Sequence, residues 1–165
     1  MSRIIRTERL VLGPYRHKLI GLYIDWLNNK ELMKYSEQRH IKHTISSQRH
    51  YLKSFDGENS FWWEINANSQ PVGSITAFCD WPNKTADIGL LIAQQGNGYG
   101  TEAWQVIIDW LFERGIRKIE AGCMASNAPM IKVFSKTGMV IEGRRRQHFL
   151  LDGKAEDMIL AARFL

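Results

Sequence analysis

The chain has 165 residues, 44% of them hydrophobic and 24% charged, with a formal net charge of +5. That length suits one domain with a substantial core, the composition is ordinary for a globular protein, and so mild a basic excess assigns no partner by itself. No apolar run reaches the roughly 18 residues of a membrane span, because Asp109 interrupts the longest candidate, and the opening Met-Ser-Arg-Ile-Ile-Arg-Thr-Glu-Arg lacks the apolar core of a signal peptide. Cys79 and Cys123 stand alone, without metal-ligand spacing, and read as reduced residues of a cytoplasmic protein with no metal. No internal repeat, low-complexity segment or linker divides the sequence.

Residues 7–12 alternate as a first strand, stopped by Gly13-Pro14. Leu19, Leu22, Tyr23, Trp26 and Leu27 make a helical stripe closed by Asn28-Asn29, and a short second helix is expected over residues 30–35. An irregular polar segment, residues 36–43, precedes a third helix capped by Thr44 or Ser46. Strands are expected over residues 61–65, 72–78 and 85–92, with turns at residues 66–71 and 80–83. A long amphipathic helix follows, carried by Ala103, Trp104, Ile107, Ile108 and Leu111 and ended by Gly115. Residues 118–124 form the next strand, Asn127 caps a helix with Pro129 in its first turn, and Gly138 ends it. Asp152-Gly153 joins the last two strands, residues 139–150 and 156–164, as a hairpin. Strands and helices in this order describe an α+β, or mixed α/β, domain built on one sheet.

Between the strand at residues 85–92 and the long helix lies Gly96-Asn97-Gly98-Tyr99-Gly100. Glycine at every second position keeps Cβ bulk off the backbone, and the free N–H groups of the following helix point back into the loop with the positive end of the helix dipole behind them. Such geometry binds phosphate or pyrophosphate; the plain alternative is a tight strand-to-helix connection. The P-loop pattern fails, because Gly100 is followed by Thr101-Glu102 in place of Lys-Ser/Thr. The dinucleotide fingerprint fails on its G-x-G-x-x-G spacing and its early position in the chain.

What does match is Gln95-x-x-Gly98-x-Gly100, which resembles the Q/R-x-x-G-x-G/A signature of the GNAT acetyltransferases. Four further stretches match in the correct order. Thr7-Glu8-Arg9-Leu10 resembles the opening of the ribosomal-protein N-terminal acetyltransferase branch, and Ala86-Asp87-Ile88-Gly89 its fourth strand. The run from Ser126-Asn127-Ala128-Pro129 to Lys136-Thr137-Gly138-Met139 is similar to its N-x-x-S…E-K-x-G-F block, and Glu142-Gly143-Arg144…Asp152-Gly153…Asp157 to its closing hairpin. Tyr35-Ser36-Glu37-Gln38-Arg39 with His43-Thr44 also resembles family members that acetylate amino-sugar nucleotides. The resemblance implies one GNAT-like domain over residues 1–165, its core from about residue 7, with a mostly antiparallel sheet of six to seven strands and about four helices. It implies transfer of an acetyl group from acetyl-CoA to a primary amine, on a protein N-terminus, an amino sugar or another small molecule.

By the same resemblance, Leu91 and Ile92 hold the pantetheine arm and offer a backbone N–H to the thioester oxygen, a preorganised donor worth roughly 3–4 kcal/mol in the barrier. Gln95, Gly96, Asn97, Gly98, Tyr99, Gly100 and Thr101 surround the pyrophosphate, and Asn127 bonds the pantetheine, against an equal reading as a plain helix cap, the two being compatible. The family places a Ser or a Tyr where it can protonate the leaving thiolate; Met130 and Phe134 occupy those positions here, Phe134 beside the cofactor, and neither donates a proton. A thiol titrates near 8.5, so thiolate departs tolerably without an acid. Asp87, on one strand face with Gly89 and Leu91, is the first candidate base, and Glu64 the second; each can equally be a solvated or paired carboxylate. Glu37, Arg39 and His148 are candidates for the acceptor pocket, against a reading as solvated surface charge. Trp62, Trp63, Trp104 and Trp110 read as core, and Arg144-Arg145-Arg146 as an exposed charged edge. Two alternatives stay open: a catalytically silent acyl-CoA-binding or scaffold domain, motivated by Met130 and Phe134, and a basic nucleic-acid binder, which has only the arginine cluster behind it and is not expected. No membrane partner is expected, and the chain is taken as monomer or homodimer, with an exposed last strand available for pairing.

Overall fold

A computed structural model describes residues 4–165, so the first three positions of the 1–165 span, and with them the start of the segment tested for a signal peptide, lie outside the described residues. The strands are β1 (Ile5–Arg6), β2 (Leu10–Gly13), β3 (Ser60–Ala67), β4 (Gln70–Asp80), β5 (Thr85–Ile92), β6 (Lys118–Met124), β7 (Val140–Leu151) and β8 (Lys154–Phe164). They form one sheet in the order β1-β2-β3-β4-β5-β6-β8-β7. Every neighbouring pair is antiparallel except β5 and β6. The helices are α1 (Ile20–Asn28), α2 (Ile45–Lys53), α3 (Tyr99–Phe112) and α4 (Ala128–Lys136). Among the described residues no helix is long and apolar enough to cross a membrane.

Successive side chains of a strand point to opposite faces, and the neighbours Trp62 and Trp63 on β3 sit in two separate cores. Trp63 joins the larger cluster with Ile65, Trp104, Ile107, Ile108 and Phe134, beneath α3 and α4. Trp62 joins Ile20, Tyr23 and Leu52, beneath α1 and α2. The sheet is therefore the middle of three layers, with one helix pair on each face.

Two local expectations differ from the structure. The first strand is broken, since Thr7 N–H donates to the Leu10 carbonyl at 3.0 Å and turns the chain between β1 and β2. That extra short strand brings the sheet to eight, above the six to seven expected. Residues 30–35 are turns and not a second helix, followed by a 3-10 helix at Glu37–His40. Local side chains compete for that backbone: Asn29 accepts from Leu32 N–H and Ser36 from Gln38 N–H. The other elements lie where the periodicity puts them, except that β3 and β4 extend into the turn expected over residues 66–71 and leave only Asn68-Ser69 as the turn. Thr44 caps α2 in a capping box with Ser47, and Asp152 and Gly153 both take positive φ, 50° and 78°, as a two-residue hairpin turn requires.

The functionally important irregularity is the parallel pair. β5 and β6 are in register only at Thr85↔Lys118, Ala86↔Ile119 and Asp87↔Glu120. Beyond Asp87 the two strands part, although β5 runs on to Ile92 and β6 to Met124. The β6-facing edge of β5 from residue 88 onward is thereby left without a strand partner, and the sheet opens as a wedge.

Candidate functional site

A cleft of about 1040 Å³ occupies that wedge and continues beneath α1 and α2. Its cofactor-sized half is built by the glycine loop. Gly96 and Gly98 hold φ of 89° and 75°, left-handed backbone that a Cβ disfavours. Gly98 is also the N-cap of α3, and no side chain caps that helix, so the first-turn N–H groups are left for a ligand. A Cβ on Gly100 would lie 3.1 Å from Leu90 Cδ2 and 3.3 Å from Ile92 Cγ1, which shows how closely α3 packs on β5.

The loop is tied down from the far end of the chain. Arg9 Nη1 donates to the Asn97 carbonyl at 2.7 Å, Arg9 Nε to Glu102 Oε2 at 2.7 Å, and the Arg9 backbone N–H to Glu102 Oε1 at 3.0 Å. The Thr7 hydroxyl donates to the same carboxylate, and the Arg9 guanidinium stands 5.0 Å from the Tyr99 ring centre. Thr7 and Arg9 thus form a strap across the loop. Their sequence separation of more than 80 residues carries no local signal that could have revealed it.

Of the expected cofactor residues, Leu91, Ile92, Gln95, Gly96, Asn97, Gly98, Tyr99, Gly100, Thr101 and Asn127 all line this cleft. The Asn127 side-chain oxygen accepts from Met130 N–H at 3.2 Å, so it caps α4 while facing the cleft. Phe134 is the exception. It is 1% exposed, its ring 5.8 Å from that of Trp104, and it does not reach the cleft, because its position on α4 turns it into the larger core. Met130 does face the cleft, and Lys132 and Lys136 of the same helix add positive charge to it.

Asp87 stands at the last paired position of the wedge, opposite Phe78 on β4 and Glu120 on β6; it does not itself line the cleft, but lies one same-face step from Gly89, which does. Its side chain reaches solvent, but the protein packed around it and the neighbouring Glu120 charge push its carboxyl up to about 6. Glu64 is differently placed. It is 1% exposed and paired with Arg16 Nη2 at 2.6 Å, accepts from Asn66 Nδ2 at 2.9 Å and from the Tyr23 hydroxyl, and does not line the cleft. Its Oε1 is taken by Arg16 and Asn66 and its Oε2 by Tyr23, so the carboxylate holds α1 to β3 and faces away from the cleft.

The acceptor candidates are not brought into the cleft either. Arg39 donates to the Ser36 carbonyl at 2.8 Å, to Glu37 at 2.9 Å and to the Leu150 carbonyl at 2.8 Å, so it ties the 3-10 helix to the β7–β8 hairpin. His148 is exposed on β7, its ring 4.7 Å from that of Phe149. The acceptor half is lined instead by Tyr23 and Trp26 of α1, Gln48 and Tyr51 of α2, and Trp62 of β3. Trp63, Trp104 and Trp110 are core as expected, whereas Trp62 also floors the cleft.

Comparison with known proteins agrees with this architecture. The sequence model of the Acetyltransferase (GNAT) domain family matches residues 9–140. "Probable N-acetyltransferase YjcK" of Bacillus subtilis is 29% identical over 126 residues, 70% of each chain. "N-acetyltransferase 9-like protein" of Caenorhabditis elegans is 26% identical over 153 residues, 80% of this chain and 75% of its own. Among solved structures, RimL ribosomal alpha-N-protein acetyltransferase with coenzyme A superposes with a TM-score of 0.88 at 19% identity, covering 99% and 98% of the two chains. Spermidine N-acetyltransferase of Vibrio cholerae with CoA and spermine superposes at 0.85 and 17% identity, covering 96% of each.

Proposed function

The chain belongs to the GNAT acetyltransferase family, and on that premise we propose that it transfers the acetyl group of acetyl-CoA to a primary amine held beneath α1 and α2. The observation that carries this reading is the wedge. A strand edge without a partner, an uncapped helix N-terminus in a glycine loop and the α4 cap residue Asn127 all open onto one cleft. An extended pantetheine arm can pair with the free edge of β5 as a missing strand would, while the loop amides and helix dipole take the diphosphate. Lys132 and Lys136 supply further positive charge beside it.

In this reading the amine nitrogen attacks the thioester carbon, the carbonyl oxygen accepts a hydrogen bond from the Ile92 backbone N–H on the β6-facing edge of β5, and the C–S bond breaks to release coenzyme A thiolate. Asp87 draws the ammonium proton through a water, and with its carboxyl near 6 it is charged at neutral pH yet more basic than an ordinary aspartate. An α-amine, titrating near 8, needs far less help from such a base than a lysine amine near 10.4. That chemistry favours a protein N-terminus or an amino sugar as acceptor. The thiolate takes its proton from solvent, because Met130 faces the cleft and Phe134 is sealed in the core.

Those two residues also support a second reading, an acyl-CoA-binding domain without turnover. Coenzyme A release from acetyl-CoA, followed by thiol titration against a panel of primary amines, separates the two. Turnover with any amine establishes the transferase; calorimetric binding of acetyl-CoA with no turnover on the panel establishes the silent domain. Absence of acetyl-CoA binding removes both.

A further inference from the structure

Gln48 is out of character with its surroundings. It lies on the inner face of α2, one turn before the core residue Leu52, where the amphipathic pattern calls for an apolar side chain. It is 3% exposed, yet its amide has no hydrogen-bond partner among the described residues. Among the described residues no sealed side-chain nitrogen or oxygen is unsatisfied, so the Gln48 amide keeps its residual exposure where the residue meets the cleft. Trp62 repeats the pattern. It is 9% exposed, lines the same cleft, and its indole N–H has no acceptor among the described residues. Burying unpaired donors and acceptors is unfavourable, and positions that break the local pattern in this way are where functional sites are expected.

The electrostatics around them are close to neutral. At the acceptor end the charged lining residues are Glu31 and Lys34, which offset each other, and no cluster of acids is present to hold a polycation. The distance to the chemistry follows from the strand register. Trp62 pairs with Thr76 and Thr76 with Gly89, so Trp62 stands two strands, about 10 Å, from the free edge of β5.

We propose that Gln48, with Trp62, determines acceptor specificity by hydrogen-bonding a neutral hydroxyl or carboxamide group that the acceptor carries about 10 Å from its reacting amine. This rests on the reading of the other half of the cleft as the acetyl-CoA site. A carboxamide side chain donates and accepts at once, so it suits a hydroxyl or an amide; an alkyl group would leave both Gln48 and the indole N–H unpaired, and an ammonium would leave the glutamine N–H groups facing a cation.

The test uses primary alkylamines of equal length whose far end is methyl, hydroxyl, carboxamide or ammonium. Each is titrated calorimetrically into the full-length protein saturated with coenzyme A, and each is assayed with acetyl-CoA. The hydroxyl or the carboxamide member is expected to bind about tenfold or more tightly than the methyl member, with the same order in kcat/KM. Gln48→Leu and Gln48→Met, two variants so that one folded example is secured by its melting curve, are expected to level this preference and leave coenzyme A affinity unchanged. The proposal is overturned by a wild-type preference for methyl or ammonium, by equal or undetectable binding of all four, or by a preference that survives in both variants. Loss of coenzyme A binding in the wild-type protein would instead remove the reading beneath it.

Discussion

At the scale of single residues the carboxylates divide by environment. Asp87 sits among protein groups and beside Glu120, and its carboxyl is raised to about 6. Acting as base, it must be ionised, so kcat/KM is expected to rise with pH through that value, and Asp87→Asn to remove this acid limb and lower the plateau. The same shift enters stability with a definite sign. The folded state holds the Asp87 proton more tightly than the unfolded chain, so this residue favours folding only at low pH, and that contribution is lost as pH rises through about 6. Melting curves of Asp87→Asn are therefore expected to lie above wild type near neutral pH, with the gap closing toward about pH 4. Gly98 gives a second residue-level expectation: at φ 75° an alanine is strained by about 1–2 kcal/mol. Gly98→Ala is predicted to weaken coenzyme A binding about tenfold or more by calorimetry, because the donors it aims are displaced with it.

Between elements, the decisive contacts are polar and long in sequence. Glu64 joins α1 to β3 through Tyr23 and Arg16, and Glu64→Ala would strand a guanidinium and a buried hydroxyl. The expected cost is about 3 kcal/mol in chemical denaturation, with the acid limb of the pH–rate profile unmoved; a shift of that limb would restore Glu64 as a base. The Arg9 strap makes the complementary prediction. Arg9→Met removes the bonds to Asn97 and Glu102, so the glycine loop loses preorganisation and KM for acetyl-CoA is expected to rise about fivefold to tenfold while kcat at saturation holds. A fall in kcat at unchanged KM would contradict the strap.

For the whole molecule, the wedge means that one ligand touches β5, the α3 loop and α4 together. Binding to the folded state alone at about a hundredfold excess over Kd adds roughly 2.7 kcal/mol, which for a domain of this size is a rise in Tm of about 5–10 °C. Differential scanning with acetyl-CoA checks this. A flat melting temperature would count against the cleft as the cofactor site. The two helix layers also divide the work: α3 and α4 border the cofactor half of the cleft, and α1 and α2 the acceptor half.

Local chemistry made much of this protein legible from its residues alone. Periodicity places α1, α3, β5, β6 and the last hairpin, because apolar spacing, Asn and Thr caps, and the Asp152-Gly153 pair act over a few residues. The glycine loop was legible for the same reason, as a backbone property written into neighbouring positions. Where local signals compete they mislead, as over residues 30–35, where Asn29 and Ser36 draw backbone N–H groups away from a helix. The acceptor half was beyond reach of the same reasoning. Gln48 and Trp62 face one cleft only because α1 and α2 cover β3, while Arg39 and Glu64, attractive as isolated charges, spend their hydrogen bonds on holding other segments in place. Spacing along the chain reports what a segment can form; which polar groups remain unspent is decided only when distant segments have chosen their partners.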